Sequence, residues 1–419
     1  SSERMSARVH APRGTRDVLP AESGVRALIE AAARESFARH AYGRVTTPTF
    51  EDIELFVRGV GTSTDIVRKE MYVLEDQGGR RLALRPEGTA GVARAYVEHG
   101  MHKLPQPVKL WYLAPMFRQE APQSGRYREH WQVGAEAIGS EDPLLDAEVV
   151  SLLAGLYETL GVPGVRLRLG TLGDAASRAA HREELGAFLV RHAGDLPEDA
   201  RARADENPLR LFDHKDTAVA AVMAEAPRLV AFLTPEAALH IDTVERVLDS
   251  MGIAYVRDDT LVRGLDYDTH TVFEFTCDAL GAQSGIGGGG RYDGLVEQIG
   301  GPPAPGVGFG TGVERITLAL GSTPPERPGL DCYVAIPDPE LRITLAPLVA
   351  TLRAAGLRCE TDLRGRSMKA MMRHANGLGA RQVVIIGPRE IDEGVATVRD
   401  MSDGSERRVG IAALAEALA

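Results

Sequence analysis

Apolar residues recur at helical spacing over residues 21–40, where Val25, Leu28, Ile29, Ala32 and Phe37 fall on one side. This spacing predicts an amphipathic helix. A strand is expected at 44–50; Pro48 withholds a ladder donor and confines it to an edge or an interface. Strands then alternate with helices to about Gly170. Residues 175–240 change character: rich in Ala, Arg and Glu, they predict helices, hold no obvious catalytic residue and read as an inserted helical subdomain. The core resumes by about Asp258 and ends near Leu320. Residues 322–329 (Ser-Thr-Pro-Pro-Glu-Arg-Pro-Gly) are a linker by their proline content. Beyond it come a strand at 331–336, helices at 341–355 and 366–378, and a buried strand at 382–386. Such alternation implies a parallel or mixed α/β sheet. The expected organisation is a core split into 1–174 and 241–321 by the insertion 175–240, then the linker and a second domain, 330–419.

Two segments stand out. Residues 261–275 (Leu-Val-Arg-Gly-Leu-Asp-Tyr-Asp-Thr-His-Thr-Val-Phe-Glu-Phe) alternate apolar with polar positions, as a half-buried strand does. Their polar positions offer Arg263, Asp266 and Asp268. Residues 283–295 (Gln-Ser-Gly-Ile-Gly-Gly-Gly-Gly-Arg-Tyr-Asp-Gly-Leu) read as a strand broken by four consecutive glycines. Glycine weakens a strand interior and marks places where a ligand or another backbone comes close. A cation, carboxylates and bare backbone together predict a pocket for a small zwitterion. The glycines alone fit a solvated hairpin equally well.

Composition narrows the class. A chain of 419 residues is long enough for two or three domains, and 44% hydrophobic with 26% charged residues is ordinary for a globular protein. No apolar run approaches the roughly 20 residues of a membrane span. The polar N-terminus is not expected to be a secretory signal. Cys277, Cys332 and Cys359 lack metal-ligand spacing, so neither a zinc site nor a disulfide framework is expected, and a reducing cytoplasm is the simplest setting. The net charge of −11 argues weakly against nucleic-acid binding, although local patches decide contact. One stretch differs: residues 364–373 are basic with no acid, and Lys369 and Arg373 share a helical face, which taken alone reads first as a solvated face.

The two outstanding segments resemble the histidine-binding motifs of histidyl-tRNA synthetases, a family of class II aminoacyl-tRNA synthetases. Similar segments run from Pro12-Arg-Gly-Thr-Arg-Asp17 into the C-terminal domain. The resemblance implies an α+β fold: an antiparallel catalytic sheet flanked by helices, with a helical insertion and a C-terminal α/β anticodon-binding domain. It implies a homodimer through the motif around Pro48, and ATP with Mg²⁺, histidine and tRNA(His) as cofactors and partners. Phe117-Arg118-Gln119-Glu120 looks like the second class II motif and residues 306–315, ending at Arg315, like the third. Arg118 and Arg263 would then be catalytic, with Arg118 on the α-phosphate and Arg263 between phosphate and substrate carboxylate. Arg118, Glu120, Arg126, His130 and Arg315 would bind ATP, beneath a loop at 122–128. Glu87, Thr89, Gln132, Glu136, Arg263, Tyr267, Asp268 and Tyr292 would bind histidine. Arg364, Arg366, Lys369 and Arg373 would face tRNA. Arginine suits such roles because its planar fork matches phosphate and carboxylate. Glu87 could equally cap the helix that starts after Pro86.

The chain departs from the family's pattern at Asp268, where a tyrosine is usual, at His130-Trp131, where Phe-His is usual, and at Ala121, where arginine is usual. These departures leave open a related enzyme activating another amino acid. A non-catalytic paralogue regulating histidine biosynthesis is the second alternative; the retained Arg118, Arg263, Arg315 and C-terminal domain weigh against it.

Overall fold

The computed structural model describes residues 8–61, 64–120, 125–214, 216–263, 265–281, 284–321 and 329–419. Residues 322–328 of the expected linker 322–329, residues 122–124 of the ATP loop, Ala121, Gly264 and Gln283 lie outside them. The chain divides into two compact units, Ser1–Pro324 and Pro325–Ala419.

The first unit is built on an eight-stranded sheet, counted among the described residues. Its centre is antiparallel: Val108–Phe117, Glu129–Ile138, Gly306–Gly312, Gly285–Arg291, Thr269–Cys277 and Val165–Thr171 follow one another across it. Short parallel strands, Gly43–Arg44 and Tyr255–Arg257, close its two edges. One face is covered by helices Pro20–Arg39, Pro143–Leu160, Pro235–Ser250 and Val313–Leu320. Phe37, fully buried there, packs edge-on against Trp111 and Phe309. Helix Pro143–Leu160 starts where Asp142 accepts a hydrogen bond from the Leu144 N–H at 2.9 Å, with Pro143 in the first turn, and ends at Gly161 at φ 67°. A cap of this kind contributes about 1 kcal/mol.

The opposite face carries a second core, with helices Ile53–Gly59 and Thr89–Glu98. Strand periodicity separates the two faces. In Val108–Phe117, Trp111 and Leu113 join the first core, while Tyr112, Ala114 and Met116 join the second.

Several local expectations need correction. The strand expected at 44–50 is broken: Gly43–Arg44 joins the large sheet, whereas Phe50–Asp52 pairs with Arg81–Leu84 in a separate three-stranded sheet. Exposed Pro48 sits between them. Among the described residues of 261–275, only the part from Thr269 is strand, Thr269–Cys277. A turn at Asp266 and Tyr267 precedes it, and His270, just inside the strand, has φ 43°. Conversely, the four glycines do not break Gly285–Arg291. It is an interior strand paired on both sides, because neighbouring side chains fill the space the glycines leave.

In the insertion, helices Ala175–Arg191 and Thr217–Ala224 help enclose a small core of their own around Leu185, Phe188, Leu211 and Met223. Helix Pro235–Ser250 crosses the expected boundary at 240, and its Ile241, Val244 and Leu248 belong to the main core.

The second unit holds a five-stranded mixed sheet among the described residues, with Cys332–Ala335 flanked by Cys359–Thr361 and Gln382–Ile385, both parallel to it. The helix expected at 341–355 is two helices, Pro339–Thr344 and Ala346–Ala354. Cys332 and Cys359, distant in sequence, are register partners and both are buried free thiols.

Candidate active site

The site lies on the sheet face opposite the long helices. Strand Glu129–Ile138 sends Val133, Ala135 and Ala137 into the helix-side core, which puts Gln132, Gly134 and Glu136 on the other face. The neighbouring Gly306–Gly312 strand turns alternate glycines toward them. A Cβ on Gly308 would stand 1.8 Å from Glu136 Oε2, and one on Gly310 would stand 1.6 Å from Gln132 Nε2. On Gly306 it would stand 2.2 Å from the Tyr292 ring, and on Gly288 2.7 Å from Arg263 Nη1. These glycines are required by close approach of side chains across a bare backbone floor.

Glu136 is fully buried. Its two oxygens accept hydrogen bonds from the hydroxyls of Thr89 and Tyr292, each at 2.7 Å. Burial pushes its carboxyl up to about 8 against the lowering effect of those hydroxyls, with Glu87 raising it further and Arg263 lowering it. Glu87 accepts from the backbone N–H groups of Thr89 (2.7 Å) and Ala90 (2.9 Å), so the capping role foreseen for it is present. Burial raises its carboxyl also. Tyr267 donates to Glu87 at 3.4 Å and meets Tyr292 edge-on at 5.8 Å. Asp268 is buried and paired with Arg263 at 3.3 Å; burial pushes it up to about 6, opposed by that arginine. Gln132 Oε1, buried here, has no hydrogen-bond partner among the described residues.

Beside this pocket opens a cavity of about 250 Å³ lined by five arginines, Arg118, Arg126, Arg203, Arg210 and Arg263. Asp65, Glu70 and Glu120 add three acids to its wall. Arg118 donates to the Pro86 carbonyl at 2.8 Å and lies 3.5 Å from Glu120, which Arg126 approaches at 3.6 Å. His130 is near both arginines; burial first, then Arg118, lowers it to about 4, so it is neutral. Arg315 stands beside Gly125 and Arg126 and donates to the Gly285 carbonyl. Arg263 belongs to both halves of the site.

Trp131 is not in the pocket. Strand alternation turns it to the helix side, where Arg26 lies over its ring at 4.5 Å and its backbone N–H donates to Glu314 at 2.9 Å. Three participants went unforeseen. Tyr112 fills the space under Gly88 and Gly134, where a Cβ would come within 2.5 Å of its hydroxyl. Its signal was an interior strand glycine, Gly134, directly opposite it in register. Arg203 and Arg210 come from the insertion, which had offered no motif.

Among the described residues no group of three or more His, Cys, Asp or Glu is placed to hold a metal ion. The three acids share the cavity wall with arginines, a lining that would suit a hydrated Mg²⁺ carried by phosphate rather than one caged by protein.

In the second unit, Arg364, Lys369 and Arg373 are exposed. Arg366 is not free for RNA: it pairs with Asp362, just ahead of the basic stretch, at 2.5 Å. Arg342 also reaches Asp362, at 3.5 Å.

Comparison with known proteins agrees with this geometry. The histidyl-tRNA synthetase family matches residues 14–316, and the anticodon binding domain family matches 331–419. A histidine–tRNA ligase of Rubrobacter xylanophilus is 51% identical over 95% of this chain and 96% of its own. One from Moorella thermoacetica is 47% identical over 97% and 96%. The apo Staphylococcus aureus histidyl-tRNA synthetase structure superposes with a TM-score of 0.84 at 34% identity, covering 98% of this chain and 100% of its own. With family matches in both units and such relatives along nearly all its length, the chain belongs to the histidyl-tRNA synthetase family and is an ATP-dependent ligase that joins histidine to tRNA.

Proposed function

We propose that activation proceeds in a two-part site: a carboxylate-and-hydroxyl pocket that reads histidine and an arginine-lined cleft that takes the phosphates of ATP. The observation that carries this reading is the position of Arg263, paired with Asp268 at the pocket and lining the cleft.

Glu87 and Thr89 bind the α-ammonium, with Gln132 bridging amine and carboxylate. Glu136 accepts the imidazole N–H, its orientation fixed by Thr89 and Tyr292. Tyr267 and Tyr292 wall the ring, and Asp268 borders it through its pair with Arg263. The carboxylate then attacks the α-phosphate in line and pyrophosphate leaves. Positioning and charge stabilisation supply most of such a catalysis. Arg263 and Arg118 face the charge that builds on the α-phosphate. Arg126 and Arg315 hold the distal phosphates, and neutral His130 lies against the adenine. Glu120 orients the two arginines it touches. Mg²⁺ bound with ATP would screen phosphate charge, and Glu70 and Glu120 are the acids able to hold it through water.

The second unit takes tRNA(His) through Arg364, Lys369 and Arg373, with Arg366 fixing the loop instead. Homodimer formation through the segment around Pro48 is supported by the short edge strand Gly43–Arg44 and by Phe50, which is 54% exposed. A cytoplasmic setting accords with three free thiols, and no single described helix is long and apolar enough to cross a membrane.

Arg263→Ala tests the reading. Loss of one such group typically costs about 10²–10³-fold in rate. Single-turnover adenylate formation should fall by that amount, and a near-normal rate would refute the assignment.

A further inference from the structure

We propose that Arg210, on the inserted helical subdomain, is a positioning residue for amino-acid activation that holds Arg263 in place through Asp266. This rests on the role assigned above to Arg263.

Residues 261–268 carry Arg263, Tyr267 and Asp268, yet the described residues among them form no strand, and sheet pairing begins at Thr269. Their placement therefore depends on side chains and a few turns. Asp266 is where three parts of the unit meet. Arg210 Nη2 reaches its Oδ1 at 3.2 Å, and Asn207 Nδ2 reaches the same oxygen at 3.4 Å. The two charged side chains are mostly sheltered, at 19% and 26% exposure. The Asp266 N–H donates to the Val60 carbonyl at 3.3 Å. Its carboxylate seats against Gly61, where a Cβ would stand 2.5 Å from Oδ2. Shortly after Gly61 come Asp65, Ile66 and Glu70 of the cleft wall.

Arg210 is itself well placed. Its neighbour Leu211 is buried in the insertion's own core. The root of the insertion is tied by Asp174, which accepts from the Ser177 N–H at 2.7 Å, and by Ser177, whose hydroxyl accepts from the Thr234 N–H at 3.0 Å. A small core with a fixed root thus presents a guanidinium to the carboxylate three residues after Arg263. A partly sheltered charge pair of this geometry resists displacement better than an exposed one. Small displacements of a reacting group are costly: a misplacement of about 1 Å can cost 10²-fold in rate.

The test is single-turnover histidyl-adenylate formation by the full chain, for Arg210→Ala, Asp266→Asn, the double variant, Arg210→Lys and Arg263→Ala. Each single change at the pair should slow the step roughly tenfold while the KM for histidine moves less than about twofold. The double variant should be no slower than the slower single one, because both remove one interaction. Arg210→Lys should recover most of the rate. A normal rate in Arg210→Ala, multiplicative losses in the double variant, or a change confined to KM would overturn the proposal. A normal rate in Arg263→Ala would instead refute the role of Arg263 itself.

Discussion

Histidine should bind this protein more tightly as pH rises from 6.5 to 8.5, because Glu136 must lose a proton to accept the imidazole N–H. Its burial sets the magnitude. Away from solvent the carboxyl is pushed up to about 8, although Tyr292, Thr89 and Arg263 favour the charged form. With that value only about one molecule in ten carries the carboxylate at pH 7, about 3% at pH 6.5 and about three quarters at pH 8.5. Apparent affinity scales with the competent fraction, so the Kd should fall roughly 25-fold across the window. Histidine's own ring is about half protonated at pH 6.5 and almost wholly neutral by pH 8.5, so the titration of free histidine is subtracted from the slope. Calorimetric titrations in buffers of different ionisation enthalpy at pH 7 should show about 0.9 proton released per histidine bound. Glu136→Gln should bind more weakly and without this slope. A flat wild-type profile, or proton uptake on binding, would refute the reasoning and mean that Glu136 acts as a protonated donor. The same shift has a stability consequence. A carboxyl whose folded pKa lies above its unfolded value stabilises fully below about pH 4.5, and that contribution is lost as pH rises through about 8. The loss is on the order of 5 kcal/mol at most. Glu136→Gln should therefore gain stability over the unliganded wild type at pH 8.5 and show little difference at pH 4.

Three further outcomes are expected. Gly310→Ala should retain the fold and lose activation, since its Cβ would stand 1.6 Å from Gln132 Nε2; overpacking of this kind costs about 1–3 kcal/mol, and normal pyrophosphate exchange would contradict the bare-floor reading. Asp146→Asn should destabilise by about 1.5–3 kcal/mol in a denaturant melt, because it removes the fully buried charged partner of Arg291 and leaves that guanidinium only Asp293 at 3.2 Å and the carbonyls of Ser140 and Asp142; a change below about 1 kcal/mol would show that the pair is dispensable. Lys369→Ala with Arg373→Ala should weaken tRNA charging and flatten its salt dependence while leaving adenylate formation intact; unchanged charging would remove that helix from the RNA face.

Much of the fold was legible because periodicity reports burial directly. Helix Pro20–Arg39 followed from apolar spacing, and the strand at Gln382–Ile385 from a short apolar run. What failed was local conformation decided by tertiary contacts. Alternation at 261–268 looked like a strand, but Asp266 and Tyr267 form a turn and Asp268 pairs with Arg263. The glycine run looked like an interruption, yet Glu136, Gln132 and Tyr292, brought in from distant segments, supply the bulk over the neighbouring glycine strand. Pocket residues within motifs could be found because their order and spacing carry information. Arg203 and Arg210 could not, since single arginines in a helical insertion look like solvated surface until the fold brings them to the cavity. Arg366 misled for a similar reason: its partner, Asp362, lies just outside the basic window.

The central claim is that this pocket, with Asp268 held by Arg263, activates histidine. ATP–pyrophosphate exchange by the full chain, run with each standard amino acid in turn, tests it most directly. The account predicts exchange with histidine and background with the other amino acids. Exchange driven by another amino acid, or by none, would contradict it.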